Sequence, residues 1–396
     1  MNTSNQEPKE KSVQAPVYSY QIGDDFLDPG PDPQPGQTRG NHWNERKRQS
    51  VDLSDRLKDI AVLEIMAEEG VSEDWARADI EKYEEEYYPF WYRKGEKVRG
   101  CARMLEFKPT TAGGLKLVAA WFCQDRLCAI CNWRRALAYR VQLGKLVTVF
   151  LSRDIPGAAI FLTLTTRNVP AALIGAEITH LSQSVYRLSK YKVVAMYMLG
   201  GIRVIEITYN PDRDDYHIHV HWLVWMGPGY FRGQGYISQA RWTELWAKAA
   251  RLDYKPIVDV RKVRPRRTED GDMSMTAAIC ETAKYPIKPD AFRAILAPVE
   301  GETPERRQHR ADQVRALEEG MKNKRLITFS GVFKALRAEL KMLDPEDTDM
   351  IGEGDGGVLM DAPSVFAAYD FEAKKYRVAA DPSSELEFDP WRGVDG

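Results

Sequence analysis

The 396-residue sequence has no apolar run approaching the roughly eighteen residues that a membrane span needs. Its first residues are polar and proline-rich, not a basic stretch leading into an apolar one, so no secretory signal is expected. Cysteine is scarce, at five residues. In a chain without a signal, that number argues for the reducing cytoplasm, where clustered thiols bind metal more often than they form disulfides. Histidine is scarcer still, at six. What remains is a soluble globular composition, 43% hydrophobic and 29% charged, with enough chain for one large domain or two smaller ones.

The net charge of −2 conceals a division along the chain. Residues 91–342 hold 42 Lys and Arg against 24 Asp and Glu, and the remainder is acidic. A basic centre between acidic flanks is the electrostatic footprint of a nucleic-acid binder, with flanks that limit non-specific association. Residues 1–55 are poor in apolar residues and include DPGPDPQPGQTRG at 28–40, so they read as disordered. Residues 56–98 read as an acidic helical segment whose aromatics dock on the core. Residues 99–150 read as a cysteine module with a basic helix, 151–342 as the main domain, and 343–396 as a loose acidic tail.

Within the basic centre, FLTLTT at 161–166 alternates as a strand does. An amphipathic helix over 171–190 follows. IRVIEITY at 202–209 and YHIHVHWLVW at 216–225 are two strands joined by the turn-rich NPDRDD. Residues 238–251 form a helix with Ser238 as its N-cap. PIVDVRKVR at 256–264 is a fourth strand, and 273–285 a third helix. The order β-α-β-β-α-β is the split βαβ, or ferredoxin-like, arrangement, an α+β class with an antiparallel sheet. Its third strand is central.

Period-two alternation places His217, His219 and His221 of that strand on one face and Ile218, Val220, Trp222 and Val224 on the other. Three of six histidines thus fall within five residues, and imidazoles two residues apart can share one cation. If the 210–215 turn closes a regular hairpin, Tyr209 pairs with Tyr216 and Glu206 stands opposite His219. Directly opposed residues share a face, so Glu206 is the third ligand, and a slip of one residue would turn it away. Asp212, Asp214 and Asp215 are turn residues. Mixed imidazole and carboxylate ligands suit Mn²⁺, Mg²⁺ or Zn²⁺.

In TAAICETAKYPIKPD at 276–290, Glu281, Lys284, Tyr285 and Lys288 crowd one side of a helix. A tyrosine hydroxyl there could attack a metal-polarised phosphate, leaving a 5′-phosphotyrosine and a free 3′-hydroxyl, and a neighbouring lysine favours phenolate and phosphate alike. Pro286 removes a backbone donor and disfavours helical geometry at Tyr285.

In order, FLTLTT, YHIHVHWLVW and ETAKYPIK resemble the three motifs of rolling-circle plasmid replication initiators within the HUH endonuclease superfamily. The resemblance covers roughly residues 100–340, including RLITFSGVFKALRAELK at 325–341. It implies a DNA nickase and strand transferase in which His219 and His221 hold Mn²⁺ or Mg²⁺ together with Glu206. Tyr285 is then the nucleophile, assisted by Lys288, Glu281 activates water at termination, and His217 supports from beside the metal. The implied partners are single-stranded and hairpin origin DNA and a host helicase.

Cys101, Cys123, Cys128 and Cys131 follow C-x21-C-x4-C-x2-C, which suits a tetrahedral structural Zn²⁺, while Cys280 lies far away. The next residues open a helix whose Arg134, Arg135 and Arg140 are expected DNA contacts. Arg261, Lys262, Arg264, Arg266 and Arg267 form a second basic run where DNA must pass. Three rivals can be weighed. A two-tyrosine transposase would place tyrosine at position 281, where Glu stands. Relaxases usually carry a long helicase extension. A non-catalytic zinc-stabilised DNA-binding regulator would leave Glu206, His219, His221 and Tyr285 without purpose.

Overall fold

A computed structural model describes residues 43–111, 115–267, 273–282, 292–297, 299–343, 350–351 and 358–379. The described chain begins with a long helix, α1 (Trp43–Glu69), followed by α2 (Glu73–Ile80) and α3 (Phe90–Gly100). Ser72 starts α2 by accepting the Trp75 N–H at 3.3 Å. Residues 43–55 are therefore helical, which shortens the segment expected to be disordered, and residues 1–42 lie outside the described residues. The early turns of α1 offer few apolar side chains. They are held by tertiary contact: Trp43, Lys47, Ser50, Leu53 and Leu57 are all buried.

A hairpin of β1 (Met104–Pro109) and β2 (Leu115–Ala120) leads to the 23-residue α4 (Ala129–Leu151). The main sheet then forms from β3 (Ala158–Thr165), α5 (Ile174–Lys190), α6 (Lys192–Ala195), β4 (Met198–Asn210), β5 (Asp215–Met226), α7 (Gln239–Ala249) and β6 (Val258–Lys262). Ile174, Ile178, Leu181, Val185 and Leu188 repeat every three or four residues along α5, and all are buried. Ser238 caps α7 by accepting the Arg241 N–H at 3.2 Å. A basic ribbon of β7 (Arg266–Arg267) and β8 (Met273–Ser274) runs into α8 (Met275–Thr282). After α9 (Arg293–Leu296) come α10 (Pro304–Met321), β9 (Ile327–Ser330) and α11 (Gly331–Glu339). Gly331 has φ +55°, and a Cβ there would run into the Leu199 carbonyl.

The sheet order is β6-β3-β5-β4-β9 with every pairing antiparallel, so the histidine strand is central. One face lies under α5 and α7. On the other, Trp225 packs on Phe150 of α4 at 4.8 Å, and Phe150 packs on Phe333 of α11 at 4.7 Å. That packing covers the Leu223–Trp225 half of the face and leaves the His217–His221 half less covered. α8 lies against α4 and touches β5.

A second sheet, β11-β10-β1-β2, contains the last described elements, β10 (Val365–Asp370) and β11 (Lys375–Ala379). The expected loose tail over 343–396 is thus corrected at 365–379: β10 pairs with β1, β11 pairs with β10, and buried Tyr376 is placed beside α1. Among the described residues, no helix is long and apolar enough to cross a membrane.

Candidate active site and metal centres

The β4–β5 hairpin has the register that the turn implies: Tyr209 pairs with Tyr216, and Glu206 with His219. The turn is closed by Asn210 Oδ1, which accepts the Asp212 and Arg213 amides, while Asp215 pairs with Arg213 at 3.0 Å. Glu206, His219 and His221 converge as a result. His219 Nε2 lies 3.1 Å from His221 Nε2, and Glu206 Oε2 lies 3.2 Å from His221 Nε2 and 3.8 Å from His219 Nε2. Donor atoms about 2.1 Å from one cation sit roughly 3 to 3.5 Å apart, so the spacing fits a shared divalent ion. Burial, assisted by the charges of His221 and His217, pushes His219 down to about 4, so it is neutral and able to ligate. Burial also lowers His217, whose ring stacks on His219 at 4.6 Å.

Two neighbours of His221 escaped the sequence reading. Thr163 pairs with it across β3 and β5, and Thr163 Oγ1 lies 3.3 Å from His221 Nδ1. Phe161, two residues earlier on the same face, stacks on the imidazole at 5.3 Å. The ring is thus fixed from its far nitrogen and from one side. The alternation of FLTLTT gave the signal for both, once paired with the histidine strand.

The four cysteines converge from separate places: Cys101 follows α3, Cys123 follows β2, and Cys128 and Cys131 stand at the start of α4. Sγ atoms of three pairs, Cys101–Cys131, Cys123–Cys131 and Cys101–Cys128, lie 3.6 Å apart. Sulfurs about 2.3 Å from a tetrahedral zinc lie about 3.8 Å from one another, so the cluster fits that ion. All four are buried. Burial drives the Cys123 and Cys131 thiols up, whereas hydrogen bonds from the other thiols overcome burial and hold Cys128 low. Burial lowers Lys47 to about 8, and the cysteines oppose that shift.

The expected DNA contacts divide. Arg134 and Arg135 are buried: Arg134 donates to the Met350 carbonyl at 2.9 and 3.1 Å, and Arg135 to the Asp125 carbonyl at 3.0 Å. They hold the cysteine loop and the chain at Met350, which corrects their reading as DNA contacts. Arg140 is exposed on α4. Arg261, Lys262, Arg264, Arg266 and Arg267 are exposed along β6 and the β7–β8 ribbon, with Arg261 paired to Asp259 at 2.7 Å. Glu281 lies in the last turn of α8, but its side chain is outside the described residues, as is that of Cys280. Tyr285 and Lys288 lie wholly outside them.

These features define a mixed α/β protein with antiparallel sheets, a buried four-cysteine cluster and a Glu–His–His group. Sequence comparison adds the rest. A family model described as "Replication protein" matches residues 114–377. "Protein rep" of Streptococcus pneumoniae serotype 2 is 35% identical over 262 residues, covering 66% of this chain and 76% of its own length. "Protein rep" of Lactiplantibacillus plantarum is 31% identical over 323 residues, covering 80% and 98%. "Replication protein" of Staphylococcus aureus is 30% identical over 243 residues, covering 61% and 98%. No solved structure matches the chain. The chain belongs to the Rep family of replication proteins, the plasmid rolling-circle initiators that its motifs resemble.

Proposed function

We propose that the protein is a metal-dependent, origin-specific DNA nickase and strand transferase of the HUH type, using Tyr285 as nucleophile. The observation that carries this reading is the convergence of Glu206, His219 and His221. The strand order supports it: β6-β3-β5-β4 is the fourth, first, third and second of the split βαβ order, a ferredoxin-like sheet with the histidines on its central strand. A bound Mn²⁺ or Mg²⁺ would polarise the scissile phosphate and stabilise charge on its leaving oxygen. Glu206, His219 and His221 would hold that ion, and Thr163 and Phe161 orient His221.

The Tyr285 hydroxyl attacks phosphorus, the bond from phosphorus to the 3′-oxygen breaks, and the displaced oxygen takes a proton to become a free 3′-hydroxyl. Lys288 favours the phenolate. Glu281, four positions before Tyr285 in the sequence, takes a proton from water when the regenerated origin is cut. Arg140, Arg261, Lys262, Arg264, Arg266 and Arg267 follow the DNA backbone, and single-stranded and hairpin origin DNA are the substrates. The zinc-bearing cysteine module is structural. A host helicase would extend the exposed strand, and the work is done in the cytoplasm.

Incubation with single-stranded origin DNA and Mn²⁺ should give a covalent adduct on a denaturing gel. Tyr285→Phe should abolish it while DNA binding stays near wild type. An adduct that persists in Tyr285→Phe assigns the chemistry to another residue.

A further inference from the structure

Two fully buried polar side chains of α1, Lys47 and Ser50, face the cysteine cluster. Lys47 Nζ donates to the carbonyls of Arg99 and Cys101 at 2.5 and 2.6 Å, so it fixes the backbone on both sides of Gly100 and at the first cysteine itself. Ser50 Oγ lies 3.2 Å from Cys128 Sγ and 2.9 Å from the Arg46 carbonyl, and it accepts the Ile130 N–H at 3.4 Å. Both residues precede the family match, which begins at residue 114.

Their chemistry answers a need of the cluster. Four thiolates around one Zn²⁺ leave two negative charges uncompensated in a buried place, and an isolated buried charge is costly. Lys47 supplies a buried positive charge beside them. Its ammonium has three donors, of which two go to the named carbonyls. Ser50 has one proton to give and two acceptors in reach. A thiolate at Cys128 is a stronger acceptor than the Arg46 carbonyl, so the hydroxyl turns to sulfur when the metal is bound. Hydrogen bonds and charges around a metal's ligands typically change its affinity about 10–100-fold.

We propose that α1 is an integral part of the zinc centre, with Lys47 balancing its charge and Ser50 donating to the Cys128 thiolate, so that this helix controls how tightly zinc is held. The proposal rests on the four-thiolate zinc reading above, and the test separates the two. It also has a general rival, in which α1 only adds packing. Leu57, fully buried on the same helix but part of the apolar packing, represents that rival.

The full-length protein, its Lys47→Met, Ser50→Ala and Leu57→Ala variants are purified under reducing conditions. Zinc content is measured, and transfer to excess 4-(2-pyridylazo)resorcinol is followed by absorbance. One zinc per chain is expected in the wild type, with release about 10–100-fold faster in Lys47→Met and several-fold faster in Ser50→Ala. Leu57→Ala should melt at lower temperature yet release zinc near the wild-type rate. In cobalt-substituted protein, Ser50→Ala should shift the sulfur-to-cobalt charge-transfer band while the tetrahedral d–d bands remain. Wild-type release rates in both variants, with zinc at one equivalent, overturn this proposal alone. So does acceleration in Leu57→Ala equal to theirs. Zinc-free wild-type protein overturns the four-thiolate reading and the proposal together. Ser50→Ala removes a single oxygen, so the question is decided even if Lys47→Met fails to fold.

Discussion

Four cysteines gathered from the end of α3, the loop after β2 and the start of α4 make one cluster. Glu206, His219 and His221 of a single hairpin make the other. The cysteine sulfurs sit in a closed interior, with α1 laid across them and Cys101, Cys128 and Cys131 at 0% exposure. The hairpin donors are graded instead: the Glu206 and His219 side chains are 8% and 11% exposed, and that of His221 is 23%. A tetrahedral metal held by four protein ligands in a sealed place has no position left for substrate, while three ligands on an open sheet face leave positions free. The first arrangement joins distant parts of the chain. The second is rigid before any ion arrives, because the strand ladder already fixes its geometry.

The sharpest way to break this contrast is to remove one ligand from each cluster. Cys128→Ser or Cys131→Ser should lose the zinc and much of the fold, since site formation and folding are coupled there. Soluble yield and thermal melting should collapse. His219→Ala or His221→Ala should leave melting within a few degrees of wild type and reduce origin cleavage to background. Mild chelation should imitate the histidine variants, because an ion in the sealed cluster should exchange more slowly than one on the open sheet face. Full cleavage in excess chelator, or a cysteine variant as stable as wild type, would refute the division.

Acid should separate the centres by a smaller margin. The fold holds His219 near 4, below its ordinary 6.5, so it favours the neutral ring. That contribution is complete above about pH 6.5 and is lost as pH falls from there towards 4, on the order of 3 kcal/mol in all. His219→Gln has no ring to protonate. Its melting temperature should therefore decline less than the wild type's between pH 7 and pH 5, by differential scanning fluorimetry in metal-free buffer. An identical decline in both proteins would mean that the ring is not held neutral.

The hairpin was legible in the sequence because its information is local. A six-residue turn and strict alternation fix the register, and the register alone brings Glu206 to the histidines. The cysteine cluster was legible by residue type and spacing. What encloses it was not. The start of α1 has weak helical periodicity and becomes helical through contacts with residues some fifty positions later, such as Lys47 with Arg99. β10 and β11 are short and flanked by acidic, glycine-rich chain, although VFAAYD and KYRVA do alternate. They join the sheet through β1, which pairs with β10 and lies more than 250 positions earlier, as the Met104–Ala368 pair illustrates. Arg134 and Arg135 were misread for the same reason. Arginine on a helix that follows a cysteine cluster reads as surface until the carbonyls of Met350 and Asp125 are seen to claim it.

That last distinction yields the smallest and most discriminating effect. DNA affinity should fall steeply with salt, because the exposed cations displace counterions from phosphates, and each single-strand phosphate contact contributes about 0.7 to the log–log slope. Arg264→Ala, Arg266→Ala and Arg267→Ala on the exposed run leading to the β7–β8 ribbon should each flatten the slope by up to that amount, without changing thermal stability much. Arg134→Ala and Arg135→Ala should do the reverse. Each empties a buried position and leaves backbone carbonyls without their donor, which costs about 1–3 kcal/mol of stability, while the salt slope stays at its wild-type value. Fluorescence anisotropy with labelled single strands across a salt series, paired with melting curves, reads both quantities for each variant. A flattened slope in Arg134→Ala at unchanged stability would return that arginine to the DNA surface, and with it the start of α4. An unchanged slope in all three exposed variants would move the DNA path away from the ribbon, to Arg140 on α4 or to another part of the basic centre.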